Sequence, residues 1–571
     1  MQKSYYKIFF YLTIFLILFG FYCALKIGLG IDEPWHHTNG ALRYIYMTNL
    51  IKSFATDFPK WEGYVWENTK YYPALYDTIV FTLCKLLDNF INIKYTAEIR
   101  HSINHIFVSF GVLGLFFVNR KIFNKEIAIL SCFLTLLNPI FFGSIGMNPK
   151  DPIVFTSLIW SIYFFISYLE NIEGSRFKNL IFMSLFMGFG SGLRVAFLAL
   201  LFPLFLIWLF IIFKKKINIS RIILDSFCVL IIVVSLTFLT WPQMHNGEWG
   251  LLVEVIKKSS TWLIGFKHGI INGEFYEIGN TPRTYILKIF LYRIPVYFSL
   301  LIILSFIIIF TKRNFFIEKI NSSFFIFFYL LLLIVFFPIT TMIVTKTHLY
   351  DNARLFLFTM PFFATIASFS LFYIFNKYKE LSIPFKFSSY VILLLAILSL
   401  YRFISLTPYQ YTYTNYLSTP KYTMGENKFE HDYFYTSYPE LMKKIKEKFG
   451  DEKAAKLKIR ICDNHIYGNK YNFRNFLNSK QTIAEDAEYV IMTNRNLRYR
   501  KMNCFQLYQG KDIVSVKRLG LTLSTLRKIE SEEGKEYMTH EWRLKNESWY
   551  EKWLEKALKG EKPEGYIPLK K

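Results

Sequence analysis

The chain has 571 residues, 53% of them hydrophobic and 19% aromatic, and a formal net charge of +25. That apolar share excludes an ordinary soluble domain, because many runs reach the roughly 18 to 20 residues a membrane-spanning helix needs. The positive charge comes with no zinc-finger, homeodomain or RNA-recognition signature and mostly flanks apolar runs, so it points to a membrane surface and not to nucleic acid.

Lys3 and Lys7 precede an apolar run from about Ile8 to Leu29. The run is long for a signal-peptide core and lacks a small-x-small cleavage site, so the expectation is a retained anchor. Directly after it comes Gly30-Ile31-Asp32-Glu33-Pro34-Trp35-His36-His37. Two adjacent carboxylates where a helix leaves the bilayer are costly and point to function; the structural alternative is a solvated helix end with Trp35 at the interface. Trp61, Tyr64 and Trp66 follow, and then Tyr71-Tyr72-Pro73-Ala74-Leu75-Tyr76 leads into an apolar segment ending near Leu87. That segment is short for a crossing and reads as a helix lying along the interface.

Further spans are expected at about 101–118, 126–144, 152–169, 179–191, 194–213, 221–240, 285–311, 323–344, 354–375 and 387–406, about eleven with the first. The 179–213 stretch is too long for one crossing and breaks at Gly190-Ser191-Gly192-Leu193-Arg194. With the N-terminus cytoplasmic, Arg120, Lys121, Lys125, Arg176, Lys178, Lys214–Lys216, Lys312, Arg313, Lys377 and Lys379 fall inside, as the positive-inside rule favours, while Lys150, Lys346 and, as a mild exception, Lys257, Lys258, Lys267 and Arg283 fall outside. Asp32, Glu33 and everything after about residue 407 then lie outside. The C-terminal part turns polar, with a helical spacing over Glu440–Phe449 and buried strands expected at Leu457–Cys462, Tyr489–Thr493 and Asp512–Arg518. The expected fold is an all-α polytopic membrane bundle over 1–406, with a first outer loop over 31–100, and a small extracytoplasmic α/β domain over 407–571. Placed outside, Cys462 and Cys504 are free to pair as a disulfide, a pairing the sequence leaves open.

This topology gathers several polar clusters on one face. Asn148-Pro149-Lys150-Asp151-Pro152 is either plain turn chemistry or an acid held at the mouth of a span. Gly190–Arg194 allows close helix approach, with Arg194 either supporting a site or snorkelling to the interface. In Lys346-Thr347-His348-Leu349-Tyr350-Asp351-Asn352-Ala353-Arg354, the cations Lys346, His348 and Arg354 suit a phosphate. His36, His37, His245 and His268 share the outer side, but no HExxH pair supports zinc. Acids facing a cationic loop suit sugar transfer from a polyprenyl phosphate: cations hold the departing phosphate, and a carboxylate activates the acceptor hydroxyl.

On these residues the sequence resembles the GT-C superfamily of integral membrane glycosyltransferases, closest to the family 39 type that includes protein O-mannosyltransferases and lipid A aminoarabinose transferases. Ile31-Asp32-Glu33, Tyr72-Pro73-Ala74-Leu75-Tyr76 and Asn148-Pro149-Lys150-Asp151 carry the resemblance, with Arg100 and Arg120-Lys121-Ile122-Phe123 around the next span. Thr407-Pro408-Tyr409-Gln410-Tyr411 and Phe429-Glu430-His431-Asp432-Tyr433 are similar to a run in bacterial members with C-terminal extensions, which more often have His where Thr407 stands and Trp where Phe434 stands. That run reads as a packing or acceptor-side element.

The resemblance implies a general base at Asp32, supported by Glu33, and a second acid at Asp151. Lys346, His348 and Arg354 are expected at the donor phosphate, with Arg194 and Lys150 in support. Relatives differ in metal dependence, so a divalent metal ion stays undecided. The expectation is a bacterial inner-membrane glycosyltransferase that uses a polyprenyl-phosphate sugar donor and inverts at the anomeric carbon, with a lipid, polysaccharide or protein acceptor. A flippase for a lipid-linked saccharide is the alternative; it favours charges midway along the spans, whereas here they gather at one face. A binding module on an anchor does not need eleven spans, and a polysaccharide ligase differs only in having a preassembled glycan as donor.

Overall fold

A main chain in hydrocarbon has to satisfy its own N–H and C=O groups, and the apolar runs do so as helices. The computed structural model describes residues 2–53, 69–91, 96–261, 268–462, 487–497 and 501–532; Trp61, Tyr64 and Trp66 lie outside them. α1 (Gln2–Lys26) is followed by α2 (Glu33–Ser53), α3 (Leu75–Ile91), α4 (Thr96–Ile122), α5 (Lys125–Leu137), α6 (Pro139–Ser144) and α7 (Asp151–Glu170). Next come α8 (Phe177–Leu193), α9 (Phe197–Leu200), α10 (Phe202–Lys215) and α11 (Ile219–Phe238), then the short α12 (Pro242–His245) and α13 (Gly250–Lys258). α14 (Tyr285–Arg293), α15 (Val296–Thr311), α16 (Arg313–Lys319), α17 (Phe324–Val344), α18 (Met360–Lys377) and α19 (Ile383–Ser405) complete the helical part.

Each expected span is largely helical, but those at 126–144, 179–191 and 194–213 hold helices shorter than a full crossing. Among the described residues seven helices are long and apolar enough to cross a membrane, and an eighth span arises if α14 and α15 count as one. These two meet at 114°, where a straight span was expected. Pro295 is the cause: it pushes Ile294 into extended backbone, at φ −89° and ψ 141°. Two further segments are broken. Asn138 stops α5 and its side chain caps α6, and α8 ends at Leu193 with Arg194 extended, as the Gly-Ser-Gly pattern foretold. α1 packs on α4 and α5, α4 on α7, α7 on α8, and α8 on α11, while α18 packs on α5 and α15.

Beyond α19 the chain runs back across the bundle. Tyr409, Tyr411, Tyr413, Tyr433 and Tyr435 are fully buried there, and the Asp432 carboxylate accepts from the Tyr411 hydroxyl and from the Thr436 and Ser437 amides. This is the run with Thr407 and Phe434, and it packs. α20 (Tyr438–Phe449) then leads to a sheet. A hairpin of β1 (His268–Ile271) and β2 (Glu274–Glu277) stands apart from β3 (Ile459–Ile461), β4 (Tyr489–Thr493), β5 (Gly510–Arg518) and β6 (Leu521–Ile529), which run in the order β3-β4-β6-β5. β3 and β4 are parallel, the other pairs antiparallel. Sequence reading found β3, β4 and β5 but not β6 or the hairpin. The two-residue turn before β6 is Leu519-Gly520, both at positive φ, a geometry that Asn-Gly signals more clearly. Cys462 and Cys504 form a disulfide.

Candidate functional site

The turn after α1 is pinned before it reaches Asp32. Gly28 N donates to Thr436 O at 3.1 Å and Ile31 N to Phe434 O at 3.0 Å. A Cβ on Gly28 would lie 2.3 Å from that same Thr436 oxygen, so only glycine fits this approach. Glu33 supplies the second anchor. Its fully buried carboxylate accepts from Gly30 N at 2.7 Å and pairs with His101 Nε2 at 2.9 Å, while His101 Nδ1 donates to the Ala24 carbonyl at 2.9 Å. Arg100 Nη1 donates to the Glu33 carbonyl at 2.8 Å. Glu33 therefore clamps the turn to α1 and α4, and Asp32 is the carboxylate left to face outward.

Asp32 meets Arg354, and Arg354 is engaged on three sides. One Nη bonds Asp32, Nε lies 2.9 Å from Asp151 Oδ2, and the other Nη lies 3.2 Å from Asp351 Oδ2. The guanidinium also sits 5.0 Å from the centroid of the Phe434 ring. Asp151 and Asp351 are sealed, whereas 32% of the Asp32 side chain is open. Burial pushes the Asp32 carboxyl up, but Arg354, His36 and Lys150 outweigh it and hold it down at about 2. Asp151 is fixed from its own loop: Asn148 Oδ1 accepts from the Lys150 and Asp151 amides, and Asn148 Nδ2 donates to Asp151 Oδ2 at 3.0 Å.

A cavity of about 370 Å³ adjoins this cluster. Its lining combines the apolar Ala196, Ala199, Leu200, Phe337, Pro338 and Met342 with the polar Tyr71, Tyr72, Arg194, Lys258, His348 and Tyr350. Arg194 belongs to both regions, lining the cavity while its Nη1 lies 3.7 Å from Asp151 Oδ1. Tyr72 is the second shared wall, with the Lys150 ammonium 4.5 Å from its ring centroid. Burial raises the Tyr72 hydroxyl, yet Lys150 and Arg194 bring it below the usual phenol value. His348 is held by its amide, which donates to Ser260 O at 2.9 Å, and its buried Nδ1 has no bonding partner among the described residues. Lys258 pairs with Glu254 at 2.8 Å and with the Tyr71 hydroxyl at 2.6 Å.

Of the residues singled out from sequence, the fold brings together Asp32, Asp151, Arg354, Arg194 and Lys150, and sets His348 on the cavity. Lys346 does not join them: α17 ends at Val344, and Lys346 is exposed at φ +49° in the turn that follows. Arg354 sits among carboxylates, so its three nitrogens are taken and it does not offer a free fork to a phosphate. Sequence reading gave no site role to Asp351, Arg495, Lys258 or Tyr72. Arg495 Nη1 lies 2.6 Å from Asp351 Oδ1, a contact made across more than a hundred residues of chain. Among the described residues no group of three His, Cys, Asp or Glu side chains is arranged to hold a metal ion. The three carboxylates that do converge surround the Arg354 guanidinium, so this donor set does not fit a divalent ion.

Similarity to known proteins is limited in identity. Solved structures similar to this chain include ArnT from Cupriavidus metallidurans bound to undecaprenyl phosphate, at 9% identity and a TM-score of 0.45, covering 91% of this chain and 98% of that one. They also include the Archaeoglobus fulgidus oligosaccharyltransferase in its apo form, at 12% identity and a TM-score of 0.41, covering 84% and 69%. The same archaeal enzyme tethered to an acceptor peptide matches at 13% identity and a TM-score of 0.41, covering 94% and 77%. No curated protein sequence matches the chain. Residues 101–241 match the family model of dolichyl-phosphate-mannose-protein mannosyltransferases. The chain is thus a multi-pass helical membrane protein that resembles the dolichyl-phosphate-mannose-protein mannosyltransferases over residues 101–241.

Proposed function

We propose that the protein transfers one sugar from a polyprenyl-phosphate carrier to an acceptor hydroxyl, at the outer face of a bacterial inner membrane. The observation that carries this reading is a cavity lined both by apolar side chains and by Arg194, Lys258 and His348, and joined to the Asp32–Arg354–Asp151 cluster through Arg194. A prenyl chain suits the apolar lining and its phosphate the basic side chains. The family model that covers residues 101–241 is named for a lipid-phosphate sugar donor, which agrees with this choice.

Asp32 is the base in this scheme because it is the one carboxylate of the cluster with an open side. The acceptor O–H gives its proton to Asp32 as the acceptor oxygen bonds to the anomeric carbon. The bond from that carbon to the phosphate oxygen breaks, and the electron pair leaves with the phosphate, held by Arg194, Lys258 and His348. A single displacement of this kind inverts the anomeric centre. A carboxylate held at about 2 is a weak base. A donor phosphate beside Arg194 and Lys150 adds negative charge next to Asp32 and raises its pKa, so the base strengthens once the donor is seated. Lys150, over Tyr72, and Arg194 shape this response, while Asp151 keeps Arg354 in place. The test is transfer by the purified protein from a panel of polyprenyl-phosphate sugars; transport of the lipid-linked saccharide without transfer favours the flippase alternative.

A further inference from the structure

Arg495 follows β4, far along the chain from every membrane helix, yet its side chain is buried against the cluster beside α7 and α18. Its Nη1 lies 2.6 Å from Asp351 Oδ1, and the other Asp351 oxygen takes Arg354 at 3.2 Å. Arg354 in turn holds Asp32, and behind Arg495 stands Glu430, 3.5 Å from its Nε. Charges of opposite sign thus alternate in one file, from the open carboxylate of Asp32 through Arg354, Asp351 and Arg495 to Glu430.

The loop that carries Arg495 is built to hold that position. Asn494 Oδ1 accepts from His431 N at 2.9 Å and Asn494 Nδ2 donates to Phe429 O at 2.5 Å. Asn496 N donates to Glu430 Oε1 at 2.9 Å. The Arg495 carbonyl accepts from Cys504 N at 2.9 Å, and Cys504 is tied by the disulfide to Cys462 at the end of β3. Without Arg495, Asp351 has one cation left to satisfy it, and it draws Arg354 toward itself and away from Asp32.

We infer that Arg495, supplied by the C-terminal sheet region, is a positioning residue for transfer: it holds Asp351, and through it Arg354, in register with Asp32, so the helical bundle alone is an incomplete site. The inference rests on the reading of Asp32 given under Proposed function. The charged and titratable groups facing Asp32 are Arg354 from the turn before α18, His36 from α2 and Lys150 from the loop before α7; those facing Arg495 are Asp351 and Glu430, with Tyr435 beside them.

The test uses the full chain in lipid nanodiscs with Arg495→Gln and Arg495→Lys. In Arg495→Gln, kcat falls by about 30-fold or more while KM for the donor stays within about threefold, and the acid limb of kcat/KM moves up by about one pH unit as Arg354 loosens from Asp32. Arg495→Lys keeps the charge, recovers kcat in part and leaves the limb near its wild-type place. A cycle of melting temperatures, from Arg495→Gln, Asp32→Asn and the double variant, reads the same linkage without turnover: the shifts are non-additive by about 2 °C or more, since both changes act on Arg354. Unchanged kinetics overturn the inference, and so does a loss of rate that merely follows the folded fraction with the limb unmoved. Should the wild-type chain transfer from no polyprenyl-phosphate sugar, the reading of function fails on its own account. The melting cycle then decides Arg495, and additive shifts overturn it.

Discussion

Arg354 Nε lies 2.9 Å from Asp151 Oδ2, with both side chains nearly sealed from solvent. A buried guanidinium that holds three carboxylates is costly to remove, because each acid loses its shared cation and the buried Asp351 keeps only Arg495. Arg354→Gln is expected to destabilise the protein by about 3 to 5 kcal/mol, seen as a lower melting temperature in detergent, and to abolish transfer. An unchanged melting temperature would mean that the three acids are satisfied by other groups.

The pH response follows from the sign of the Asp32 shift. Its folded pKa, about 2, lies below the ordinary carboxylate value of 3.8. Ionised Asp32 therefore stabilises the fold above pH 4, and that contribution is lost as the pH falls from there through about 2. For turnover, kcat/KM reports the free enzyme and kcat the loaded one. The acid limb of kcat is expected at higher pH than that of kcat/KM, because the donor phosphate raises the Asp32 carboxyl. Coincident limbs would remove the phosphate from the neighbourhood of Asp32.

Arg194 and His348 on the cavity separate from the exposed Lys346 in a binding experiment. If the donor phosphate sits in the cavity as proposed, Arg194→Ala and His348→Ala each remove a charged or polar contact to it and raise the KM for a polyprenyl-phosphate sugar by about tenfold. Lys346→Ala, exposed beyond α17, is expected to leave it unchanged. The reverse pattern would put the phosphate on the loop and not in the cavity.

The helical part was legible because hydrocarbon leaves an apolar run little choice of structure. Asp32, Asp151 and Arg354 were each visible as polar residues at the ends of such runs, and the fold joins them directly. Glu33 was visible too, but its partner His101 is 68 residues away, so nothing local showed that it anchors the turn while Asp32 stays open. Arg495 gave still less signal: its partner Asp351 is 144 residues away, and an arginine after a short strand looks like any surface cation. Pairing across such distances is set by how the C-terminal run packs on the bundle. Lys346 stands apart from the cluster for a related reason, since charge and nearness in sequence to Arg354 say nothing about which side of a left-handed turn a side chain takes.

Transfer by the purified full-length protein, measured for the wild type and Asp32→Asn, tests the role of Asp32 most directly. The expected result is sugar transfer from a polyprenyl-phosphate donor by the wild type, a fall of about 10²- to 10⁴-fold in kcat for Asp32→Asn, and donor binding unchanged. Transfer by Asp32→Asn at the wild-type rate would contradict a base at this position.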